Sequence, residues 1–225
     1  MEFSKDLLAN TVSSKNQLPD SQFVTFHYAE NAVKNVLFVG NSITLHGANP
    51  SIGWTGNWGM AASAPERDYV HLTAAALTER YGAINWCIAQ GATWERAFND
   101  DSILPTHYAA AREFAADIVF IRIGENTSRE LLKTEDYQAA FTRMVQFFTP
   151  GAERIVVTDL FWASPAIDDP IRAAGAANGW TMVSLGDLGA QDKMKAIGLF
   201  EHAGVAGHPG DEGMRAIADR ILAAL

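Results

Sequence analysis

The stretch Val36-Leu37-Phe38-Val39-Gly40-Asn41-Ser42 decides how this chain is expected to fold. Four apolar residues in a row, two of them β-branched, predict a short buried strand, and the Gly-Asn-Ser that follows predicts a tight turn. In an open α/β sheet, ligands bind at the carboxyl ends of the strands. Ser42 is therefore expected at the rim of a binding crevice, although Gly-Asn-Ser is also typical of an ordinary turn that caps a helix.

Strand and helix patterns alternate along the rest of the chain. Four more apolar runs predict strands, and five amphipathic stretches predict helices at about 64–80, 107–115, 135–148, 170–177 and 211–225; the strand runs are 84–89, 117–123, 154–158 and 180–185. This alternation indicates an α/β fold with a five-stranded, mostly parallel sheet covered on both faces. Residues 22–28 alternate enough to form an edge strand or a strap over the sheet.

Composition narrows the classes of partner. The 225 residues carry 17 basic and 26 acidic side chains, a formal charge of -9, which argues against nucleic acid or an anionic membrane as the main partner. The single cysteine, Cys87, excludes an internal disulfide and a multi-cysteine metal site, and its apolar surroundings indicate a buried, inert thiol.

The sequence contains no apolar run as long as a transmembrane helix, and its start lacks the basic and apolar regions of a signal peptide. A cytoplasmic protein without a membrane partner is therefore expected. Because Met1-Glu2-Phe3 resembles a cloning remnant, removal of an export signal stays open. Residues 1 to about 20 are polar and are expected to form a loosely held lead-in.

Polar residues follow three of the predicted strands and precede the last helix. The segments are Gly40-Asn41-Ser42, Gln90-Gly91-Ala92, Gly124-Glu125-Asn126 and Gly207-His208-Pro209-Gly210. Because the ends of parallel strands share one edge, a Ser, a Gly amide, an Asn carboxamide and a His are expected to meet there.

This set of groups suits acyl transfer. A serine hydroxyl is a poor nucleophile until a base takes its proton, and histidine does this near neutral pH. The tetrahedral intermediate carries an oxyanion, for which the N–H groups of Ser42 and Gly91 and the side-chain amide of Asn126 are candidate donors. Simpler roles are a turn glycine for Gly91 and a capping or Asx-turn residue for Asn126.

The chain resembles the SGNH (GDSL-like) hydrolase family over about residues 34–225, with the four marker residues in order as Ser42, Gly91, Asn126 and His208. The resemblance implies one domain over residues 1–225, a flavodoxin-like three-layer α/β/α sandwich, with residues 1–34 as a partly loose extension. It also implies ester hydrolysis through a Ser acyl-enzyme without a metal or organic cofactor. The long first loop is similar to that of bacterial members that act on acylated carbohydrates.

The chain departs from the family pattern in two places. Asn41 stands where the family usually has Asp, and Val205 stands where the triad Asp normally lies, three residues before the histidine. A catalytic imidazole still needs an acceptor for its second N–H. The backbone carbonyl of Val205 is the favoured candidate, and Glu201, Asp211 and Glu212 are the alternatives.

The loop from His46 to Gly59 is long for a connection inside a compact domain, and such loops are usually functional. Trp54, Trp58 and Trp94 are candidates for stacking on a sugar, with His46 also facing the pocket, although tryptophans equally serve as packing anchors. The other tryptophans, Trp86, Trp162 and Trp180, are expected in the core.

Two charged residues near the third strand end complete the predictions. Arg122 lies inside an apolar strand and is expected near its end with a carboxylate partner. Glu125 lies beside a marker position, where a carboxylate can tune the charge of the pocket, but a solvated side chain is the favoured expectation.

The sequence thus predicts a serine esterase that removes small acyl groups, acetyl first, from a carbohydrate or another polar alcohol. Ser42 would attack and His208 would act as base and then as acid. The alternative is a non-catalytic flavodoxin-like module that binds a sugar or nucleotide. A homo-oligomer is left open.

Overall fold

The computed structural model describes residues 17–225, so most of the predicted loose lead-in lies outside the described residues. Within these described residues, six strands form one sheet: β1 (Val24–His27), β2 (Lys34–Gly40), β3 (Ile84–Gln90), β4 (Ile118–Arg122), β5 (Arg154–Thr158) and β6 (Thr181–Val183). The five predicted strands are present. The prediction of a five-stranded sheet is corrected by β1, which is the edge strand expected within residues 22–28.

The strands lie in the order β1-β3-β2-β4-β5-β6. β2 to β6 are parallel, and β1 pairs antiparallel with β3. Without β1, this is the order of a flavodoxin-like sheet, in which the direction of the crossovers reverses beside the first parallel strand. The expected three-layer architecture is confirmed, and the ligand crevice of such a sheet lies at the carboxyl end of β2.

Residues 17–225 form seven helices: α1 (Tyr69–Tyr81), α2 (Ala92–Arg96), α3 (Ile103–Glu113), α4 (Tyr137–Phe148), α5 (Pro165–Asn178), α6 (Ala203–Ala206) and α7 (Asp211–Ala223). One core cluster contains side chains of α2 to α5, and the other contains those of α1 and α7. Along β2, Leu37 and Val39 face the first cluster while Val36 and Phe38 face the second. Burial on both faces explains why this strand is an uninterrupted apolar run.

A third, smaller cluster holds the long first loop against the segment that leads to α6. Trp54, Met60 and Ala61 from the loop pack with Ala196 and Val205. The loop is also tied to the end of β2, since Met60 N–H donates to the Ser42 carbonyl at 2.9 Å. This group, which we call the rim cluster, therefore fixes the loop after β2 to the segment that precedes α7, beside the strand ends.

Strand register brings the predicted site segments side by side. Gly40 pairs with Gln90 of β3 and with Arg122 of β4. The residues that follow these three positions therefore leave the sheet at one level and share one edge.

Candidate active site

Ser42 and His208, 166 positions apart in the chain, meet at this edge. The Ser42 Oγ lies 2.8 Å from the His208 Nε2. Ser42 is held in a tight turn after β2, because the Asn41 carbonyl accepts the N–H groups of Thr44 and Leu45, both at 2.9 Å. Gly40 is required here because a Cβ would overlap the Thr44 hydroxyl. The turn presents the hydroxyl directly to the imidazole.

The second nitrogen of the His208 ring contacts a carbonyl one residue earlier than expected. His208 Nδ1 lies 2.6 Å from the carbonyl oxygen of Gly204. The Val205 carbonyl instead accepts the backbone N–H of His208, at 2.9 Å. Because the chain tightens as α6 ends, the Gly204 carbonyl is left without a main-chain N–H and accepts the ring instead. The prediction that the Val205 carbonyl orients the ring is corrected to Gly204.

None of the carboxylates considered from the sequence takes this role. The Asp211 carboxylate accepts the backbone N–H and the hydroxyl of Ser63, at 2.9 and 2.7 Å. Among residues 17–225, the hydrogen-bond partners of the His208 ring are Ser42 and Gly204 alone. The site therefore brings together a serine hydroxyl and an imidazole whose second nitrogen contacts a neutral carbonyl; we call Ser42 and His208 the dyad.

The carbonyl determines which ring nitrogen carries the proton. A carbonyl oxygen only accepts, so Nδ1 must donate, and neutral Nε2 is left to accept the hydroxyl proton of Ser42. Burial lowers the pKa of His208; the Gly204 carbonyl opposes this, and the charge of nearby Arg122 lowers the pKa further. The imidazole is thus held in the neutral form that a general base requires.

Gly91 has a different environment from the one predicted. Its N–H donates to the Gly40 carbonyl at 2.6 Å and so extends the pairing of β2 with β3. A side chain at this position would overlap Ile123 Cδ1, which explains the glycine by packing alone. The structure therefore corrects the prediction that this amide is free to receive an oxyanion. Within the described residues, the Ser42 N–H has no acceptor.

Asn126 lies at the exposed rim, but its amide is fixed from behind. The Nδ2 group donates to Glu95 Oε2 at 2.7 Å, and the backbone N–H donates to Glu95 Oε1 at 3.1 Å. Nδ2 carries two hydrogens, so one is bound to Glu95 and the second is left to face the solvent side. Glu95, on the short helix α2, is fully buried.

Four residues form what we call the buried charge cluster: Asn41, Glu95, Arg122 and Glu125. Arg122 Nη1 lies 2.6 Å from Glu125 Oε1, and Arg122 Nη2 donates to the side-chain oxygen of Asn41. The Asn41 Nδ2 donates to both carboxylates, at 2.9 Å to Glu95 and 2.6 Å to Glu125. The predicted carboxylate partner of Arg122 is confirmed. The prediction that Glu125 is solvated is wrong, since its side chain is only 9% exposed.

The two carboxylates differ in how their charge is compensated. Burial disfavours the charge of Glu125, but the adjacent Arg122 outweighs it and lowers the pKa of Glu125. Burial, reinforced by the charge of Glu125, raises the pKa of Glu95 against the hydrogen bonds that it accepts. Arg122 forms its ion pair with Glu125, so its positive charge compensates the charge of Glu125 more than that of Glu95.

The tryptophans predicted to bind substrate are mostly packing residues. Trp54 is 2% exposed in the rim cluster and Trp94 is 1% exposed in the core, so neither can stack on a ligand. Trp58 is half-buried, with its Nε1 donating to the Ala62 carbonyl at 2.9 Å, and its ring packs on Trp54. The predicted sugar-stacking role of Trp54 and Trp94 is therefore wrong.

Trp162 packs against the second core cluster, as expected, and its ring also contacts His208. Its ring centroid lies 5.3 Å from that of His208, edge to face, and the side chain is half-buried. His46 is also half-buried and lies close enough to contribute to lowering the pKa of His208. These two side chains border the site on the solvent side.

Sequence reasoning missed Glu95 and Trp162. A signal for Glu95 existed, because it is a lone acid in the run Ala92-Thr93-Trp94-Glu95, one helical turn after a strand end. Trp162 carries no comparable signal, since only the tertiary packing after β5 brings it to His208.

Two further observations concern metal binding and membrane spanning. Among residues 17–225, no three His, Cys, Asp or Glu side chains converge as metal ligands. No helix in this part of the chain has both the length and the apolar character needed to cross a membrane.

Comparison with known proteins identifies relatives in structure. A scan against protein-family models and a search of curated proteins found no match. Among solved structures, Axe2, an acetyl xylan esterase from Geobacillus stearothermophilus, superposes with a TM-score of 0.54 at 16% identity, covering 86% of this chain and 94% of that one. LAE5, an alpha/beta hydrolase enzyme from the metagenome of Lake Arreo, Spain, gives 0.55 at 18% identity, covering 86% and 95%. The chain therefore shares its fold with these hydrolases, and its chemistry has to be argued from the site.

Proposed function

We propose that this protein is an SGNH-type serine esterase that removes small acyl groups, acetyl first, from a carbohydrate or another polar alcohol. The observation that carries the proposal is the 2.8 Å contact between Ser42 Oγ and His208 Nε2, with Nδ1 bound to a carbonyl. This is the arrangement of a nucleophile, a base and a group that orients the base.

The reaction follows from these positions. Ser42 Oγ attacks the ester carbonyl carbon while its proton passes to His208 Nε2. The oxyanion is received by the Ser42 N–H and by the second Nδ2 hydrogen of Asn126. Collapse of the intermediate breaks the bond to the alcohol, which takes the proton from His208 and leaves an acyl-Ser42. Water, deprotonated by His208, then hydrolyses the acyl-enzyme and restores the serine.

The dyad lacks the negative charge that a triad carboxylate supplies. A neutral carbonyl fixes the tautomer but stabilises the imidazolium less, so a slower chemical step is expected than with a carboxylate. In Axe2, a serine, an aspartate and a histidine have each been replaced in catalytic mutants, and the aspartate lies three residues before the histidine. Val205 is three residues before His208 here, so the proposed mechanism differs from a complete triad at this one position.

The surroundings of the dyad support a sugar as the polar alcohol. Trp162 is a half-buried aromatic ring beside His208, and aromatic rings at such positions suit the face of a sugar. The acetyl xylan esterase with the same fold acts on this class of substrate.

The test compares wild type with Ser42→Ala in the hydrolysis of 4-nitrophenyl acetate, butyrate and octanoate, and in acetate release from acetylated xylo-oligosaccharides. Wild type should prefer acetate, and Ser42→Ala should lose about a thousandfold or more in kcat/KM. Ser102→Ala, at an exposed serine bonded to Asp100, is the matched control. A fluorophosphonate should label wild type at Ser42. Absence of both turnover and labelling would refute the esterase and favour the non-catalytic binding module.

A further inference from the structure

The side chain of Glu95 accepts four hydrogen bonds, although the reaction proposed above gives this residue no role. Its Oε1 accepts from Gly124 N–H at 2.6 Å, from Asn41 Nδ2 at 2.9 Å and from Asn126 N–H at 3.1 Å. Its Oε2 accepts from Asn126 Nδ2 at 2.7 Å. The carboxylate is fully buried and has no cation bonded to it among the described residues. A buried acid this costly is unexplained by stability alone.

A carboxylate at this point decides how the Asn126 amide is oriented. All four partners of the Glu95 side chain are N–H donors, so both of its oxygens accept, and Oε2 must face the Nδ2 group and not the side-chain oxygen of Asn126. With one Nδ2 hydrogen bound to Oε2, the plane of the amide is fixed and the second hydrogen has one direction left. The same carboxylate holds the Asn126 backbone through Oε1. Both the main chain and the side chain of Asn126 are thus set by one group.

Glu95 also connects Asn126 to the nucleophile turn. Asn41 Nδ2 donates to the same Oε1 atom that receives the Asn126 N–H. Asn41 immediately precedes Ser42, and its side-chain oxygen accepts the Ile43 N–H at 3.3 Å. The distance between the Ser42 turn and the Asn126 amide is therefore set across a single carboxylate, and not through the sheet alone.

We propose that Glu95 is a positioning residue for the esterase reaction: it orients the Asn126 amide toward the oxyanion and fixes it relative to the Ser42 turn. This inference rests on the proposed function. Pre-set donors contribute to catalysis only when they are held in place before the charge develops. Glu95 itself touches neither substrate nor the reacting atoms.

The isosteric change Glu95→Gln separates positioning from charge. Glutamine keeps one acceptor oxygen for the three N–H groups near Oε1, but it turns an NH2 group toward Asn126 Nδ2, so two donors oppose each other and the Asn126 amide must rotate. Removing a negative charge near a developing oxyanion would by itself speed the reaction. A slower Glu95→Gln enzyme therefore reports lost positioning.

A double-mutant cycle with Asn126→Ala tests the inference. Glu95→Gln is expected to lower kcat for 4-nitrophenyl acetate about tenfold or more with little change in KM, and Asn126→Ala about a hundredfold. The double variant should match Asn126→Ala within about twofold, because Glu95 acts through Asn126. Glu153→Gln, at an exposed acid paired with Lys34, is the control that should match wild type. A Glu95→Gln enzyme as fast as wild type, or losses that multiply in the double variant, would overturn the inference.

A measurement on the wild-type protein covers the case in which Glu95→Gln does not fold or no esterase activity is found. In ¹⁵N-labelled protein, the two Nδ2 protons of Asn126, assigned by their absence in Asn126→Ala, should be well separated, with one shifted downfield and protected from exchange. Two nearly degenerate, rapidly exchanging protons would show that Glu95 does not orient the amide. If wild type shows these separated Asn126 protons but has no esterase activity, the proposed function is refuted, while the orientation of the Asn126 amide by Glu95 remains supported.

Discussion

The Ser42–His208 dyad and the buried charge cluster lie at the same sheet edge, but they are held in opposite ways. His208 is half-buried and its ring has two partners, one of which is a neutral carbonyl. Behind it, Arg122 is 1% exposed and is bound by Glu125 and Asn41. The two members of the dyad thus have few partners at the half-buried rim, while the charged groups behind them are densely hydrogen-bonded.

This contrast separates residues expected to affect the reaction rate from residues expected to affect the free energy of unfolding. Under the proposed function, replacing a member of the dyad removes a transition-state contact but buries no new polar group, so the rate should fall with little loss of stability. Replacing a member of the cluster leaves another charge buried without a partner, so stability should fall first. Three further predictions follow that difference, from the largest expected effect to the smallest.

Arg122→Met should break the cluster. It removes the guanidinium and leaves Glu125 and Glu95 as buried carboxylates, which is expected to lower the free energy of unfolding by about 3–5 kcal/mol. Arg143→Met is the matched control, because Arg143 pairs with Asp101 in an ion pair whose side chains are 47% and 61% exposed. The control should change stability by less than about 1 kcal/mol. Urea denaturation of both variants measures the difference, and equal small effects would contradict the contrast between buried and exposed pairs.

Much of the fold was accessible from the sequence because local patterns agree with the tertiary structure. The apolar run Val36–Val39 is buried on both faces, as its composition predicts. The sequence predicts β1 only as one of two alternatives, since a four-residue alternation fits a strap as well as an edge strand. The pattern predicts a start for α5 that is five residues late, because Pro165 at its first position and Pro170 inside it both resemble helix boundaries.

The site was accessible in outline and not in its supporting contacts. The order of the motifs predicts that Ser42 and His208 meet, because Ser42 follows β2 and His208 comes just before the last helix. The choice between the Gly204 and Val205 carbonyls depends on how tightly the chain turns after α6, which one-residue spacing cannot resolve. Trp54 and Trp162 could not be told apart, because loop position does not reveal which tryptophan the rim cluster buries.

Val205→Asp tests whether the dyad can be converted to a triad by restoring the usual residue. Val205 is 1% exposed in the rim cluster with Trp54 and Met60, and the Gly204 carbonyl already occupies the Nδ1 side of the ring. The new carboxyl group is therefore expected to be buried among apolar side chains and to lower stability by about 2–4 kcal/mol without a gain in kcat. Val205→Ala is the control for lost packing. Faster turnover at unchanged stability would show that this side chain reaches the imidazole.

The smallest effect is expected in the pH dependence of the dyad. His208 accepts a proton only when neutral, and burial with the charge of Arg122 lowers its pKa below the ordinary 6.5, against the Gly204 carbonyl and the charge of Glu125. The acid limb of kcat/KM for 4-nitrophenyl acetate, which reports the free enzyme, should therefore have its midpoint below 6.5. Stability follows the same sign: between the lowered pKa and 6.5 the unfolded chain binds more protons, so this residue's contribution to stability falls as the pH decreases through that window. His208→Ala should remove that part of the pH dependence from urea denaturation. An acid limb at or above 6.5 would show that burial and the charge of Arg122 do not lower the pKa of His208, and would remove the contrast between a lightly held dyad and the charges behind it.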